Sequence, residues 1–337
     1  MNIYDVSKKA GVSIATVSRV INGNSFVSQK TREKVLRVIE ECGYTPNAFA
    51  RGLGLNSMHT VGIMCADSSD PYLACAVYNL EQALHQNNYD ALLCCTGYEL
   101  AEKQKYLDLL LSKKVDAVIL VGSNFIEAED DKNDYIRTAA KNVPIMILNG
   151  AMDGSNIYCT LCDDYHAVYD AIKALIKSGI KDILYLYNSE SYSGNKKMSG
   201  YLAAMEAIYS EAAKRQEYVH FVNGGIHEVK HYLSGLRKKG LKFDAVVASD
   251  DNLAIGALKY AREHHLDVPD QLSVIGYNNS IISLCSEPEL TSIDNKLEAL
   301  CSSCISTLMG VLNSQPVPLQ TVYPAELIRR GTTRSFL

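Results

Sequence analysis

The sequence has 337 residues, of which 47% are hydrophobic and 21% are charged, as in globular proteins with two or three sizeable cores. No apolar run of about 18 residues occurs, which excludes a transmembrane helix, and the start lacks the basic-then-apolar order of a signal peptide. We therefore expect a cytoplasmic protein with no membrane partner. The formal net charge of −5 is unevenly distributed along the chain. Residues 1–56 contain eight Lys and Arg against four acids, a net charge of +4, so the remainder carries −9. This basic head predicts a polyanionic partner.

Three helices are predicted in the first 45 residues. The first ends at Gly11, the second covers 14–22 behind an N-cap at Ser13, and the third covers 28–42 and stops at Gly43. Two short helices joined by a Gly turn, with a third in support, are typical of a helix-turn-helix. The second helix of that motif enters the DNA major groove, where Arg19 would contact guanine. A generic three-helix domain with a solvated basic face is the alternative.

The head resembles the lactose/galactose-repressor (LacI/GalR) family over about fifty residues without a gap. The motifs that carry this resemblance are Tyr4-Asp5-Val6, Ala10-Gly11-Val12-Ser13, Thr16-Val17-Ser18-Arg19-Val20-Ile21-Asn22, Val27-Ser28, Thr31-Arg32-Glu33-Lys34-Val35 and Gly43-Tyr44-Thr45-Pro46-Asn47. The resemblance implies a helix-turn-helix domain over 1–45 and a hinge helix over 46–57 that lies in the minor groove, where Leu53 wedges between base pairs. The DNA-contacting residues that we expect are Tyr4, Ser13, Ile14, Ala15, Thr16, Ser18, Arg19, Asn22, Ser28, Thr31, Asn47, Ala50 and Leu53.

The hinge sequence Ala-Arg-Gly-Leu-Gly-Leu-Asn (50–56) carries two glycines, each of which weakens a helix by about 1 kcal/mol. Such a short segment cannot hold a helix alone. We expect it to order only against DNA and a second copy of the chain.

The body, 58–337, alternates short apolar runs with amphipathic segments, which predicts parallel sheets with helices on both faces. The strands are expected at 60–65, 90–95, 117–121, 145–148, 157–161, 183–186, 218–222, 245–248 and 273–275. The helices are expected at 71–86, 99–112, 165–177, 198–213 and 252–264. About a dozen strands are too many for one sheet, so two similar lobes facing a cleft are expected.

The family resemblance continues through Gly200-Tyr201, Ala254-Ile255-Gly256-Ala257, Ser273-Val274-Ile275-Gly276-Tyr277 and Leu290-Thr291-Ser292-Ile293. It implies a periplasmic-binding-protein-like body with lobe 1 at about 58–160 and 295–318 and lobe 2 at about 162–290 and 321–332. The chain would cross between the lobes near 158–162, 290–295 and 318–321. The effector-binding residues implied are Asp70, Tyr72, Ser123, Asn149 and Asp163, followed in the second lobe by Ser193, Lys197, Ile226, Asp250, Asn278 and Leu297.

Three of these positions depart from the sugar-binding pattern of the family. Lys197, Asn278 and Ile226 stand where sugar binders generally have Arg, Asp and an aromatic residue. The bidentate guanidinium and the stacking ring are thus lost, although Tyr72 and Tyr277 are possible stacking partners. A sugar is the expected effector, and a phosphorylated metabolite, a nucleoside or no effector at all are the alternatives.

Some motifs also resemble the catabolite-control members of the family, which use a phosphorylated carrier protein as corepressor. Residues 281–287 contain no basic side chain, which disfavours such a partner.

Two further patterns suggest a metal or redox site. His227-Glu228-Val229-Lys230-His231 matches the H-E-x-x-H pattern of zinc hydrolases, but no third ligand follows at the required spacing. Cys159/Cys162 and Cys301/Cys304 form C-x-x-C pairs, which we interpret as buried apolar side chains. No cofactor, metal or catalytic residue is expected.

The sequence thus predicts a DNA-binding regulator, most simply a repressor, controlled by a small molecule between two lobes. Its partners would be a near-palindromic operator, the effector and a second copy of the chain, since two half-sites need two heads. No heptad tail follows the body, so the assembly expected is a homodimer.

Overall fold

The computed structural model describes residues 2–21, 26–44 and 57–334. The head consists of three helices, α1 (Ile3–Ala10), α2 (Ile14–Ile21) and α3 (Gln29–Cys42). Their ends are set by local chemistry, because Asn2 and Ser28 cap α1 and α3, and Gly11 and Gly43 adopt left-handed φ angles of 61° and 57°. The buried side chains of the head form one small core made of Val6, Ala10, Val17, Val20 and Val35.

Lobe 1 begins the body as a run of alternating strands and helices. Its elements are β1 (Thr60–Cys65), α4 (Pro71–Gln86), β2 (Asp90–Cys95), α5 (Leu100–Ser112), β3 (Ala117–Val121), the 3₁₀ turns Ser123–Phe125 and Asp130–Asn133, α6 (Asp134–Ala140), β4 (Ile145–Leu148) and β5 (Ile157–Cys162).

Lobe 2 repeats this alternation. Its elements are α7 (Asp164–Lys177), β6 (Ile183–Tyr187), α8 (Tyr192–Met205), α9 (Ala212–Gln216), β7 (Val219–Phe221), α10 (Ile226–Lys238), β8 (Ala245–Ala248), α11 (Asp251–Glu263), β9 (Ser273–Tyr277), α12 (Ile281–Leu284) and β10 (Thr291–Asp294). The chain then forms α13 (Leu297–Leu312), β11 (Gln320–Tyr323) and β12 (Glu326–Ile328).

The twelve strands form two six-stranded sheets, which confirms the predicted fold class. The strand order is β11-β5-β4-β3-β1-β2 in lobe 1 and β12-β10-β9-β8-β6-β7 in lobe 2. The central pairs are parallel, with Val61 opposite Ala117 in lobe 1 and Ile183 opposite Ala245 in lobe 2, whereas β12 runs antiparallel to β10. Helices cover both faces, as parallel sheets require.

The chain passes between the lobes at Asp163, at Asn295 and Lys296, and at Pro324 and Ala325. The third passage lies beyond the expected 318–321, because β11 first pairs with β5 of lobe 1, with Tyr323 opposite Cys162. The helix α13 lies between the second and third passages and belongs to lobe 1, where its Leu300, Cys301, Cys304, Ile305 and Leu308 complete the core.

One helix was wrongly placed at 198–213. The structure starts α8 at Tyr192, where Ser191 Oγ accepts a hydrogen bond from the Gly194 N–H, and a break separates α8 from α9. Because Gly200 has no side chain, α8 packs closely on α7: a Cβ at Gly200 would lie 2.2 Å from the Tyr165 carbonyl oxygen. Over the described residues no helix has both the length and the apolar composition to cross a bilayer.

Candidate functional site

The second helix of the head presents both polar and apolar side chains to solvent. Val17 and Val20 are buried in the small core, whereas Ser13, Ile14, Ala15 and Arg19 are exposed and Thr16 and Ser18 are half-buried. The predicted major-groove residues at the start of α2 are therefore at least partly accessible on the head.

Hydrogen bonds fix the start of that helix. Ser13 Oγ accepts from the Thr16 N–H at 3.2 Å and lies 2.9 Å from the Thr16 hydroxyl. Ser28 and Thr31 are paired in the same way at the start of α3. Tyr4 leaves 67% of its surface exposed. The other expected contacts, Asn22, Asn47, Ala50 and Leu53, and the hinge segment 50–56 lie outside the described residues.

A cavity of about 640 Å³ lies between the two lobes of the body, within the range of about 300–1,000 Å³ of small-molecule sites. It lies beyond the carboxyl ends of the parallel strands, where open α/β sheets bind ligands. Eight of the eleven predicted effector residues line it: Asp70, Tyr72, Ser123, Asn149, Ser193, Lys197, Asp250 and Asn278.

The wall from lobe 1 is built by residues that follow β1, β2, β3 and β4. Asp70 caps α4 by accepting from the Leu73 N–H at 2.9 Å. Asn149 follows β4 with a left-handed φ of 65°, and it is 6% exposed. Its Oδ1 is buried and has no hydrogen-bond partner among the described residues. A buried acceptor in this condition favours a donor from a bound molecule.

The wall from lobe 2 centres on Asp250. This residue caps α11 through the Leu253 N–H at 2.8 Å and accepts from Asn188 Nδ2 at 2.7 Å. Burial raises the pKa of the Asp250 carboxyl, while those two hydrogen bonds and the charge of Lys197 oppose the rise.

Lys197 lies deep in the cavity, with 8% of its surface exposed. Its ammonium group donates to the Ser249 carbonyl at 3.1 Å and lies 3.7 Å from the centre of the Tyr277 ring. These contacts within the protein therefore already use much of the attraction that the Lys197 ammonium could offer to a bound anion.

A buried carboxylate, that of Asp164, lies behind the cavity lining and holds Ser193 and Tyr277 by hydrogen bonds. It accepts from Ser193 Oγ at 2.6 Å and from the Tyr277 hydroxyl. Burial raises its pKa, and the charge of Lys197 and the two hydrogen bonds lower it. Asp164 directly follows the first passage between the lobes, so the cavity floor is tied to that passage.

Two side-chain hydrogen bonds join the lobes across the cavity. Ser123 Oγ donates to Ser191 Oγ at 2.9 Å, and Ser189 Oγ donates to Asn124 Oδ1 at 3.2 Å. The structure thus shows the lobes in a closed arrangement.

Some expected placements are wrong. The Asp163 carboxylate caps α7 and faces His166 Nδ1 at 2.7 Å, so it lines a different cavity beside β12. Ile226 begins α10 and does not line the 640 Å³ cavity, whereas Phe221 at the end of β7 does. An aromatic ring is thus present, but five residues earlier than expected.

Leu297 and Tyr277 are also absent from this lining. Leu297 lines a neighbouring cavity with Tyr72 and Asn278. Tyr277 is fully buried beneath Lys197, so its ring is not available to stack on a ligand.

Residues missed from the sequence also line the cavity. They are Leu73, Tyr98, Gly122, Asn124, Asn188, Ser189, Glu190, Ser191, Gly194, Phe221 and Ser249. Most lie in the first few positions after a parallel strand, and this position is the signal that would have found them.

The motifs that suggested other chemistry have structural roles. Glu228 of the H-E-x-x-H segment accepts from the Gly225 N–H at 2.9 Å and caps α10. No group of three or more His, Cys, Asp or Glu side chains in the described part of the chain is placed to hold a metal ion. Burial raises the pKa of the Cys162 and Cys301 thiols to about 12, which keeps both protonated.

A helix-turn-helix head and a two-lobed α/β body with a cleft together define the class of ligand-responsive transcriptional regulators. Residues 2–47 match the model of bacterial regulatory proteins of the lacI family, and residues 172–333 match that of the periplasmic binding protein-like domain. The chain belongs to the lacI family of bacterial regulatory proteins.

Relatives support this assignment over the full length. An HTH-type transcriptional regulator of Lachnoclostridium phytofermentans is 58% identical, with 99% of each chain covered. Catabolite control protein A of Priestia megaterium is 30% identical, with 94% of each chain covered. The crystal structure of the lac repressor dimer bound to operator and the anti-inducer ONPF shares the fold, with 23% identity, 99% of each chain covered and a TM-score of 0.85. The chain is accordingly a DNA-binding transcriptional regulator.

Proposed function

We propose that this regulator represses transcription as a homodimer on a near-palindromic operator, and that a hydroxyl-rich small molecule in the 640 Å³ cavity controls its operator affinity. The observation that carries the effector part is the convergence of eight residues from both lobes on one cavity that contains an unpartnered buried acceptor. A ligand that contacts both lobes binds the closed arrangement better than an open one, and that difference is what shifts a two-state equilibrium.

The exposed face of α2 is our proposed DNA-reading surface. In this proposal Arg19 makes a bidentate contact to guanine, and Ile14 and Ala15 contact thymine methyl groups. The short polar side chains Ser13, Thr16 and Ser28 suit contacts to phosphates. Because DNA in a bacterium lies in the cytoplasm, we propose that location for the protein.

A direct test measures binding of the full-length protein to the DNA upstream of its own gene, against random DNA of equal length. We expect the protein to protect a symmetric site from cleavage. Its affinity for that site at physiological salt should be at least a thousandfold higher than its affinity for random DNA. A footprint with no two-fold symmetry, or equal affinity for random DNA, would contradict the proposal.

The hinge segment supplies a second test. Gly52→Ala should tighten operator binding about 5- to 30-fold, because each of the two hinges in a dimer gains up to about 1 kcal/mol of helix propensity. Leu53→Ala should weaken operator binding while the melting temperature of the body stays constant. Unchanged affinity for both variants would show that the segment does not act as a conditional helix.

Effector control is tested separately, by measuring operator affinity with each binding metabolite present. A ligand that binds in the cavity and leaves operator affinity unchanged would contradict the allosteric part of the proposal and leave the DNA-binding part intact.

A further inference from the structure

We propose that the cavity is built for an uncharged ligand of two linked sugar rings and that it rejects phosphorylated sugars. This inference rests on the proposed function, since it takes the interlobe cavity as the effector site. Charge, helix capping, length and the distribution of aromatic side chains all support it.

The charge of the lining is unfavourable to an anion. Asp70, Glu190 and Asp250 face the cavity, and Lys197 is the cation among its lining residues. The Lys197 ammonium is held by the Ser249 carbonyl and by the Tyr277 ring, with the buried Asp164 carboxylate nearby. A phosphate would therefore meet like charges around a cation whose attraction is already largely used.

At the helices that begin at the cavity, side-chain caps already occupy N–H groups that could otherwise bind a phosphate. Phosphate sites at helix N-termini use backbone N–H groups that the protein leaves open. Here the Leu73 and Leu253 N–H groups donate to Asp70 and Asp250, and the Gly194 N–H donates to Ser191 Oγ. Two of these three caps are carboxylates, which oppose an incoming anion where a helix would otherwise attract one.

The lined floor is longer than one pyranose ring. In lobe 1 it runs from Asn149 after β4 to Tyr98 after β2, and in lobe 2 from Asn278 after β9 to Phe221 at the end of β7. In each sheet these ends are separated by three strand spacings, or about 14 Å. Both lobes therefore offer contacts over the length of two joined rings.

The two ends of the floor differ in chemistry. Asn149 and Asn278 lie at the end nearer the passages between the lobes, and Asn149 Oδ1 awaits a donor. Tyr98 and Phe221 lie at the opposite end, with 56% and 45% of their surfaces exposed. Amides suit sugar hydroxyls, and exposed aromatic faces suit the apolar face of a second ring.

Isothermal titration of the full-length protein tests the inference with defined probes. The neutral disaccharides are maltose, cellobiose, lactose, sucrose and trehalose, the monosaccharides are glucose, galactose and fructose, and the anions are glucose 6-phosphate and trehalose 6-phosphate. We expect at least one neutral disaccharide to bind at least tenfold more tightly than its constituent monosaccharides and than either phosphate.

Two variants test whether the preference for neutral disaccharides depends on the Phe221 ring and on the charge of Asp70. Phe221→Ala should weaken disaccharide binding at least tenfold and change monosaccharide binding less than twofold, whereas the control Leu109→Ala, an exposed site on α5 outside the cavity, should change neither. Asp70→Asn keeps a good N-cap and removes one charge, so it should narrow the gap between trehalose and trehalose 6-phosphate at least threefold.

Tighter binding of a monosaccharide or of a sugar phosphate, or no saturable binding by any of the ten probes, would overturn the inference. An equal loss of both sugar sizes in Phe221→Ala would overturn the assignment of a second ring position. The proposed function fails by a different measurement, namely a bound ligand of any class that leaves operator affinity unchanged.

Discussion

The hydrogen bond between Ser123 and Ser191 joins the two lobes, so its removal should open the cleft. Ser123→Ala removes the donor of this 2.9 Å bond, which lies in a partly buried setting. A neutral hydrogen bond of this kind contributes about 0.5–1.5 kcal/mol net. Since the bond can form only when the lobes are closed, the closed-to-open ratio should fall about two- to twelvefold.

Ser191→Ala should lower the free energy of unfolding more than Ser123→Ala does. The reason is that the Ser191 hydroxyl also accepts a hydrogen bond from the Gly194 N–H and so caps α8. Loss of such a cap costs about 0.5–2 kcal/mol in addition. A double-mutant cycle separates the two contributions, because the cap is lost equally with and without Ser123. The coupling energy between the two substitutions should therefore be about 0.5–1.5 kcal/mol.

The assay is the free energy of unfolding in urea for the four proteins of the cycle, with the radius of gyration from small-angle X-ray scattering as an independent measure of opening. Ser199→Ala is a matched control, because its hydroxyl donates at 2.8 Å to the Asn195 carbonyl within the same helix. Additive effects within about 0.3 kcal/mol, with no change in the radius of gyration, would refute the claim that this bond holds the lobes together.

Three further outcomes are expected. Arg19→Ala should weaken binding to the specific operator by about 1–3 kcal/mol, roughly 5- to 150-fold, and change non-specific binding less, as measured by fluorescence anisotropy at two salt concentrations. Gly200→Ala should destabilise the body by about 1–3 kcal/mol, since its Cβ would lie 2.2 Å from a backbone oxygen, whereas Gly235→Ala, which meets no atom within 4 Å, should be neutral or stabilising by calorimetry. The folded-state pKa of Asp164 is raised, so its contribution to stability is greatest below its unfolded pKa of about 3.9 and is lost as pH rises above that value. Asp164→Asn, which cannot ionise, should flatten the fall in melting temperature from pH 4 upward, and an unchanged pH profile would contradict that assignment.

Local sequence signals predicted the repeating elements well, because their cause is local. Strands such as Ala117–Val121 and Ile145–Leu148 are continuous apolar runs buried on both faces, and they were placed at their true bounds. The short strands β10, β11 and β12 were missed, because their side chains are partly polar or half-buried and they form only by pairing with strands distant in sequence.

The cavity was predicted well where a residue's role follows from its place at a strand end. Asp70 and Asp250 were expected in the lining, and each caps the helix that follows its strand. Phe221 was missed in favour of Ile226, because a shift of a few residues in the loop after β7 leaves no mark in the sequence pattern. Asp164 was missed because it lies beneath the lining and acts through Ser193 and Tyr277, which are brought to it only by the fold.

The late position of α13 has a consequence during protein synthesis. Ribosomes add about 5–20 residues per second, so the roughly 135 residues between the end of β5 and the start of α13 take on the order of ten seconds to make. During that interval the first five strands have emerged without the helix that covers their apolar face. The three-helix head, by contrast, has all of its core residues from the start. Nascent chains should therefore carry a folded DNA-binding head on an unfinished lobe, and chaperone binding should peak on chains that end between about residues 165 and 310.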